Sequence, residues 1–303
     1  MTSAPAPAPS QARAIAAFVL VTLIWGSTWL VIKHQISSTV PASWAVTWRF
    51  MLASAGMFAL AIIRREKLIL PRPAMTVAVV MGLFQFFANF QLVYRAEGYI
   101  TSGLVAVLFA LLLVPNAVMG RIFLDTPIER RFVAGSSVAL LGIALLLGHE
   151  YRAAPAGGAE VLAGVGLTFA AIMSASTANI LQATPTARRE SIIVMIAWAM
   201  LVGAMADALF AWATAGPPVL DTSPRQLGGI AYLAIVGSVL TFPLYFMLIR
   251  DWGPGKAAYN GVAVPVVAMA LSTLFEGYRW SLLAGGGAAL AMVGLLIALS
   301  GRK

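Results

Sequence analysis

Ten stretches of about twenty mostly apolar residues succeed one another along the chain. They lie at about 14–32, 43–63, 74–94, 98–119, 132–148, 160–182, 191–213, 227–249, 254–275 and 281–300. A helix needs roughly 20 apolar residues to cross a hydrocarbon layer about 30 Å thick. With 60% hydrophobic and 10% charged residues among 303, the chain also lies well outside the globular norm of about half apolar and a quarter charged. It reads as an all-α integral membrane protein of ten transmembrane helices, with no loop long enough for a soluble domain. Residues 1–13, rich in Ala, Pro and Ser, are expected to form a disordered cytoplasmic tail. The first run is too long for a signal peptide, and no Ala-x-Ala-like site follows it.

The basic residues fall unevenly between these runs. With the N-terminus inside, fourteen Lys and Arg lie in cytoplasmic segments and five in outer ones, a positive-inside bias that places both termini in the cytoplasm. The net charge of +9 therefore reflects membrane topology, and no nucleic-acid partner is expected. The absence of cysteine and the presence of two histidines exclude disulfides and thiolate sites and leave little material for a metal centre. Neither metal nor cofactor is expected.

The chain repeats itself. In 99–128, Gly103 precedes Pro115 by 12 residues and Asp125 follows by 10; in 251–280, Gly253 precedes Pro265 by 12 and Glu276 follows by 11. Gly135 and Gly142 of the fifth run recur, displaced by 152, as Gly287 and Gly294 of the tenth. Two repeats of five helices follow, at 14–148 and 160–300. Because five is odd, the second must enter the membrane from the opposite side. Two inverted halves that rock about a shared midplane cavity are the architecture of alternating access. A pseudo-dimer complete within one chain is expected to work as a monomer.

The order of Trp25-Gly26-Ser27-Thr28-Trp29, Arg49-Phe50, the two Gly–Pro–acid runs and the two glycine stripes resembles the EamA branch of the drug/metabolite transporter superfamily, over about 14–300. Within that branch the sequence is similar to YddG-like exporters of aromatic and other amino acids. The resemblance implies a multi-pass protein of a bacterial-type inner (plasma) membrane. It also implies a cavity lined mainly by the first, third, fourth, sixth, eighth and ninth helices, with the fifth and tenth as scaffold. Asp125 departs from the family's usual glutamate, whereas Glu276 keeps it; both are read as gate or helix-end residues.

Candidate cavity residues follow from polar and aromatic side chains within the spans. The first span offers Trp25, Ser27 and Thr28. In the third, Gln85 and Asn89 are four apart on one helix face and either hydrogen-bond an amino acid or join helices, while Gln91 is assigned to an interface. The eighth offers Thr241 and Tyr245 around Pro243, and the ninth offers Tyr259 and Asn260 before Pro265. Pro115, Pro243 and Pro265 are hinge or kink positions, since proline removes a backbone donor. Gly135, Gly142, Gly287 and Gly294 are structural, because small residues let membrane helices approach closely.

Away from the ends of these runs, Arg49 and Asp207 are the two charged residues; Arg49 is read as structural, and Asp207 as structurally paired. Charges at the centre of a membrane helix cost about 2.5–3.5 kcal/mol on insertion scales, so their scarcity disfavours strongly anionic substrates. The small-molecule substrate is expected to be zwitterionic or lipophilic, exported by facilitated diffusion. A broad-specificity or proton-coupled drug/metabolite exporter is the alternative. A membrane transferase would need a catalytic acid or histidine constellation, and none is found. A channel would need repeated deep ion-coordinating acids, and these are also lacking.

Overall fold

The computed structural model describes residues 11–36, 39–153, 158–245, 247–248 and 260–300. Among them there are helices, turns and bends but no strand. Among the described residues eight helices are long and apolar enough to cross a membrane, and two shorter apolar ones follow. In chain order these are α1 Gln11–Ile36, α2 Ala42–Ile63, α3 Arg72–Tyr99, α4 Ser102–Leu124, α5 Arg130–Ala153, α6 Ala159–Ala183, α7 Ile192–Ala215, α8 Pro224–Tyr245, α9 Asn260–Phe275 and α10 Leu282–Ser300. A one-turn helix, Pro185–Arg188, sits between α6 and α7. α1 already begins at Gln11, so residues 11–13, read above as tail, are helical.

Proline and Ser start several of these helices for local reasons. Pro73 and Pro224 sit in the first turns of α3 and α8, where a missing N–H costs nothing and φ is already helical. Ser191 and Ser223 accept from the backbone N–H of Val194 and Gln226 and so cap α7 and α8. Leu141, Ile122, Leu209 and Leu274 are exposed on the outside of the bundle, as side chains bathed by lipid should be.

The packing is duplicated. Each buried position of α2 recurs on α7 at an offset of 150: Ser43 matches Ile193, Phe50 matches Met200, Met57 matches Asp207 and Ala61 matches Ala211. α2 and α7 pack on each other, and so do α5 and α10, α4 and α9, α1 and α9, and α4 and α6. Both α3 and α8 widen into a π-helical stretch, Gly82–Ala88 and Tyr232–Leu240, starting 150 residues apart.

α5 and α10 form the tightest pair. A Cβ built on Gly142 would lie 2.3 Å from the Ala291 nitrogen, and one on Gly294 would lie 2.2 Å from the Ala139 nitrogen. Gly135 faces Gly294 and Gly142 faces Gly287 across the seam, backbone against backbone. Such contacts admit Cα–H···O bonds and dispersion that larger residues would prevent.

Candidate functional site

The π-helical stretches decide where backbone polarity becomes available. A π turn carries one extra residue, and its carbonyls lose their usual i+4 donors. In α3 the Asn89 N–H reaches back to the Phe84 carbonyl. The Asn89 side-chain nitrogen then takes the Gln85 carbonyl at 3.3 Å, and Ser174 of α6 donates to the Phe84 carbonyl at 2.7 Å. In α8 the Gly237 carbonyl accepts from Thr241 Oγ1 at 2.7 Å and from Trp25 Nε1 at 3.3 Å. The turn that joins Gln85 to Asn89 is thus π-helical. Gln85 is half-buried, while Asn89 is buried and its Oδ1 has no partner among the described residues.

Trp25 links α1 to α8. Its indole nitrogen also donates to Thr241 Oγ1 at 3.0 Å, and its ring lies 4.9 Å from Tyr245 and 5.7 Å from Phe242. From Phe242 the aromatic contacts continue to Phe86 at 6.0 Å, to Phe50 at 5.2 Å and to Phe90 at 4.7 Å. This run joins α1, α8, α3 and α2 through the middle of the bundle. It ends at Arg49, whose guanidinium carbon lies 4.5 Å from the Phe90 centroid and 5.0 Å from that of Phe50. The Phe86/Phe90 spacing was visible in the sequence, but the ladder itself needs four helices brought together.

Ser27 and Thr28 are spent differently. The Ser27 and Tyr232 hydroxyls share a 2.6 Å hydrogen bond across α1 and α8, and Ser27 also donates to the Ile24 carbonyl. Thr28 is buried and donates to the Trp25 carbonyl at 2.7 Å. Asn260 accepts from Thr22 at 3.4 Å and is buried at the start of α9. Tyr259 lies outside the described residues.

Where α3 ends and α4 begins, the structure corrects the sequence reading. α3 runs on to Tyr99, so Arg95 and Glu97, read as loop residues, are helical. Glu97 is fully buried, and neither carboxylate oxygen has a hydrogen-bond partner among the described residues. Lys33 of α1 donates to the backbone carbonyls of Glu97 and Ile100 and so caps the C-terminus of α3, where a cation is favoured. Glu276, just past α9, accepts from the backbone nitrogen and hydroxyl of Ser102. Asp125 sits instead in a left-handed C-cap with φ 52°, its exposed carboxylate 3.4 Å from Arg121.

Asp207 is buried between α7 and α3. Gln91 Nε2 donates to its Oδ1 at 2.7 Å, and Gln91 Oε1 accepts from Arg95 at 2.6 Å. Arg95 in turn stacks over Phe210 at 4.9 Å. Among the prolines, Pro115 follows a 3₁₀ turn at Ala110–Leu112, Pro243 follows the π stretch of α8, and Pro265 lies inside α9. No cluster of three or more potential metal ligands occurs among the described residues.

The comparisons with known proteins agree with this architecture. The sequence matches the EamA-like transporter family twice, over residues 12–148 and 162–300. It is 26% identical to Protein PagO of Salmonella typhimurium over 87% of this chain and 85% of that one. It is 24% identical to the probable amino-acid metabolite efflux pump of Escherichia coli over 94% of each. The inner membrane transporter YedA of Escherichia coli, uncharacterized by name, is 27% identical over 84% of this chain and 80% of its own. A solved crystal structure, 21% identical, superposes with a TM-score of 0.69 over 97% of this chain and 100% of its own. A multi-pass helical chain that carries the family's sequence in both halves belongs to the EamA-like transporter family of the drug/metabolite transporter superfamily.

Proposed function

We propose that this transporter exports amino acids, aromatic and other neutral or amphipathic ones, and related metabolites from the cytoplasm by alternating access. The observation that carries the reading is the aromatic ladder from Tyr245 through Trp25 and Phe86 to Arg49, set beside carbonyls that the π stretches release. Apolar and aromatic walls with a few fixed polar groups suit an amphipathic small molecule. The name of one relative, the probable amino-acid metabolite efflux pump of Escherichia coli, supports the same substrate class.

The mechanism follows from duplication. The shared burial register of α2 and α7, the paired π stretches and the double family match support two five-helix repeats inserted in opposite senses. Ten spans with both termini cytoplasmic then put the α3–α4 junction at the outer face of a bacterial inner membrane, and the chain acts as a monomer. Pro115, Pro243 and Pro265 serve as bending points, Asp125 and Glu276 as helix-end gates. Export runs down the concentration gradient. The proton-coupled alternative draws on Glu97, a second buried carboxylate besides Asp207.

Proteoliposome counterflow tests the function. Labelled amino acid should accumulate transiently against an excess of unlabelled internal substrate, and no counterflow with any of the common amino acids overturns the reading. A pH gradient applied alone separates the two energetic schemes, since uphill accumulation excludes simple uniport.

A further inference from the structure

Arg49 is 3% exposed on α2, and Glu97 is 0% exposed on α3. Arg49 leaves Nε and Nη1, and Glu97 leaves both carboxylate oxygens, without hydrogen-bond partners among the described residues. Buried charges ordinarily have their hydrogen-bonding capacity filled, because an uncompensated ion in a low-dielectric interior is costly. Stacking on Phe50 and Phe90 gives Arg49 a cation–π contact, but it leaves the in-plane N–H donors unused. Lys33 acts electrostatically on Glu97 and donates hydrogen bonds to the backbone carbonyls of Glu97 and Ile100. The Glu276 carboxylate, also within electrostatic reach, is bonded to Ser102.

The two groups belong to one stripe. Phe90, Tyr94 and Glu97 follow one another at helical spacing on α3. Arg49 stacks on the first and lies within electrostatic reach of the second and third. Tyr94 itself is buried and donates to Gln35 Oε1 at 3.3 Å, so the hydroxyl between the two charges is already oriented.

We infer that Arg49 and Glu97 are the two poles of a subsite for an α-amino acid, Arg49 taking the α-carboxylate and Glu97 the α-ammonium. A guanidinium with unpaired N–H donors donates to a carboxylate oxygen, and a carboxylate accepts the ammonium's protons. The side chain of the bound amino acid then faces the aromatic ladder that ends at Phe50 and Phe90. Opposite charges held in one buried stripe favour a zwitterion over an anion or a cation, since each single-charged analogue leaves one pole unpaired. This rests on the amino-acid export reading and sharpens it to a requirement for both charged groups.

The test uses three probes in proteoliposome exchange: phenylalanine, phenethylamine, which lacks the carboxylate, and N-acetylphenylalanine, which lacks the ammonium. Wild type is expected to exchange phenylalanine at least tenfold faster than either analogue. Arg49→Gln should close the gap to phenethylamine and leave the gap to N-acetylphenylalanine, and Glu97→Gln should do the reverse. A structural role would lower all three probes together. If Arg49→Gln does not yield monodisperse protein, the near-isosteric Glu97→Gln decides alone. Equal exchange of the three probes by wild type overturns the subsite, as does a variant pattern parallel to wild type. Absence of amino-acid counterflow by wild type, across the whole panel of common amino acids, overturns the export reading itself and is recognised before any variant is compared.

Discussion

Glu276, one residue past the end of α9, accepts two hydrogen bonds from Ser102 in the first turn of α4, from its hydroxyl at 2.7 Å and from its backbone nitrogen at 3.3 Å. A carboxylate at a helix N-terminus satisfies an orphan donor and favours the dipole. At the next residue, Gly103, α4 and α9 come together, and an added Cβ would lie 2.6 Å from Met269 Sδ. Asp125, the corresponding acid of the first half, instead pairs with Arg121 of its own helix.

Glu276→Gln should therefore loosen this end of the α4–α9 contact. Hydrogen bonds to a charged group contribute about 1.5–3 kcal/mol, and about 1.4 kcal/mol is a factor of ten in an opening equilibrium. The chain has no cysteine of its own, so Met269→Cys provides a clean reporter at a position now 4% exposed. Maleimide labelling should run about tenfold faster in the double variant than in Met269→Cys alone. Equal rates would show that Ser102 and Glu276 do not hold the helices together.

Gly142→Ala and Gly294→Ala should each lower thermal stability in detergent. The new methyl would meet backbone nitrogen at 2.3 and 2.2 Å, and backbone cannot rotate away, so α5 and α10 must separate. Overpacking of this kind costs about 1–3 kcal/mol. Gly148→Ala on the same α5 is the control. Its Cβ meets nothing within 4 Å, and the better helix propensity of alanine should leave stability unchanged or slightly raised. A similar loss in all three would contradict the seam.

Helix existence and duplication were legible because both rest on patterns local in sequence, apolar length and a fixed offset. The offset is obeyed even where chemistry differs, as Met57 and Asp207 show. Glu97 was not legible. It stands three residues beyond the apolar run, where a hydropathy count ends the helix, yet it is fully buried. The π stretches carry no residue signature, and the ladder from Trp25 to Arg49 exists only once four helices meet. The local pattern names the elements, while the site depends on which faces they turn to each other.

Trp25 separates polarity from bulk. Trp25→Phe keeps a ring against Phe242 and Tyr245 but removes the donor to Thr241 and Gly237. Thr241 still donates to the Gly237 carbonyl, so only about 1 kcal/mol of hydrogen bonding is lost. Exchange of phenylalanine in proteoliposomes should fall no more than about fivefold. Trp25→Ala removes the ring as well, and large-to-small changes of aromatic residues cost about 3–5 kcal/mol, so its exchange should fall much further. Equal effects of the two changes would mean that the ring contacts do not form part of the transport path.

Asp207 tests whether a buried acid serves structure or transport. Gln91 donates to it and passes the link to Arg95, and Asn at this position can still accept from Gln91. Asp207→Asn should thus keep counterflow within about twofold and lose about 1 kcal/mol of stability, the difference between a charged and a neutral acceptor. Asp207→Leu strands Gln91 Nε2 and should be costlier. Adding Gln91→Leu removes the stranded group, so the double variant should recover part of the loss. The α2–α7 register supports this, because the matching position holds Met57. A coupling of about 0.5–3 kcal/mol in the double-mutant cycle is the expected outcome, read from thermal unfolding in detergent. Additive costs, or loss of counterflow in Asp207→Asn with stability intact, would move Asp207 from the packing of α3 on α7 into the transport cycle.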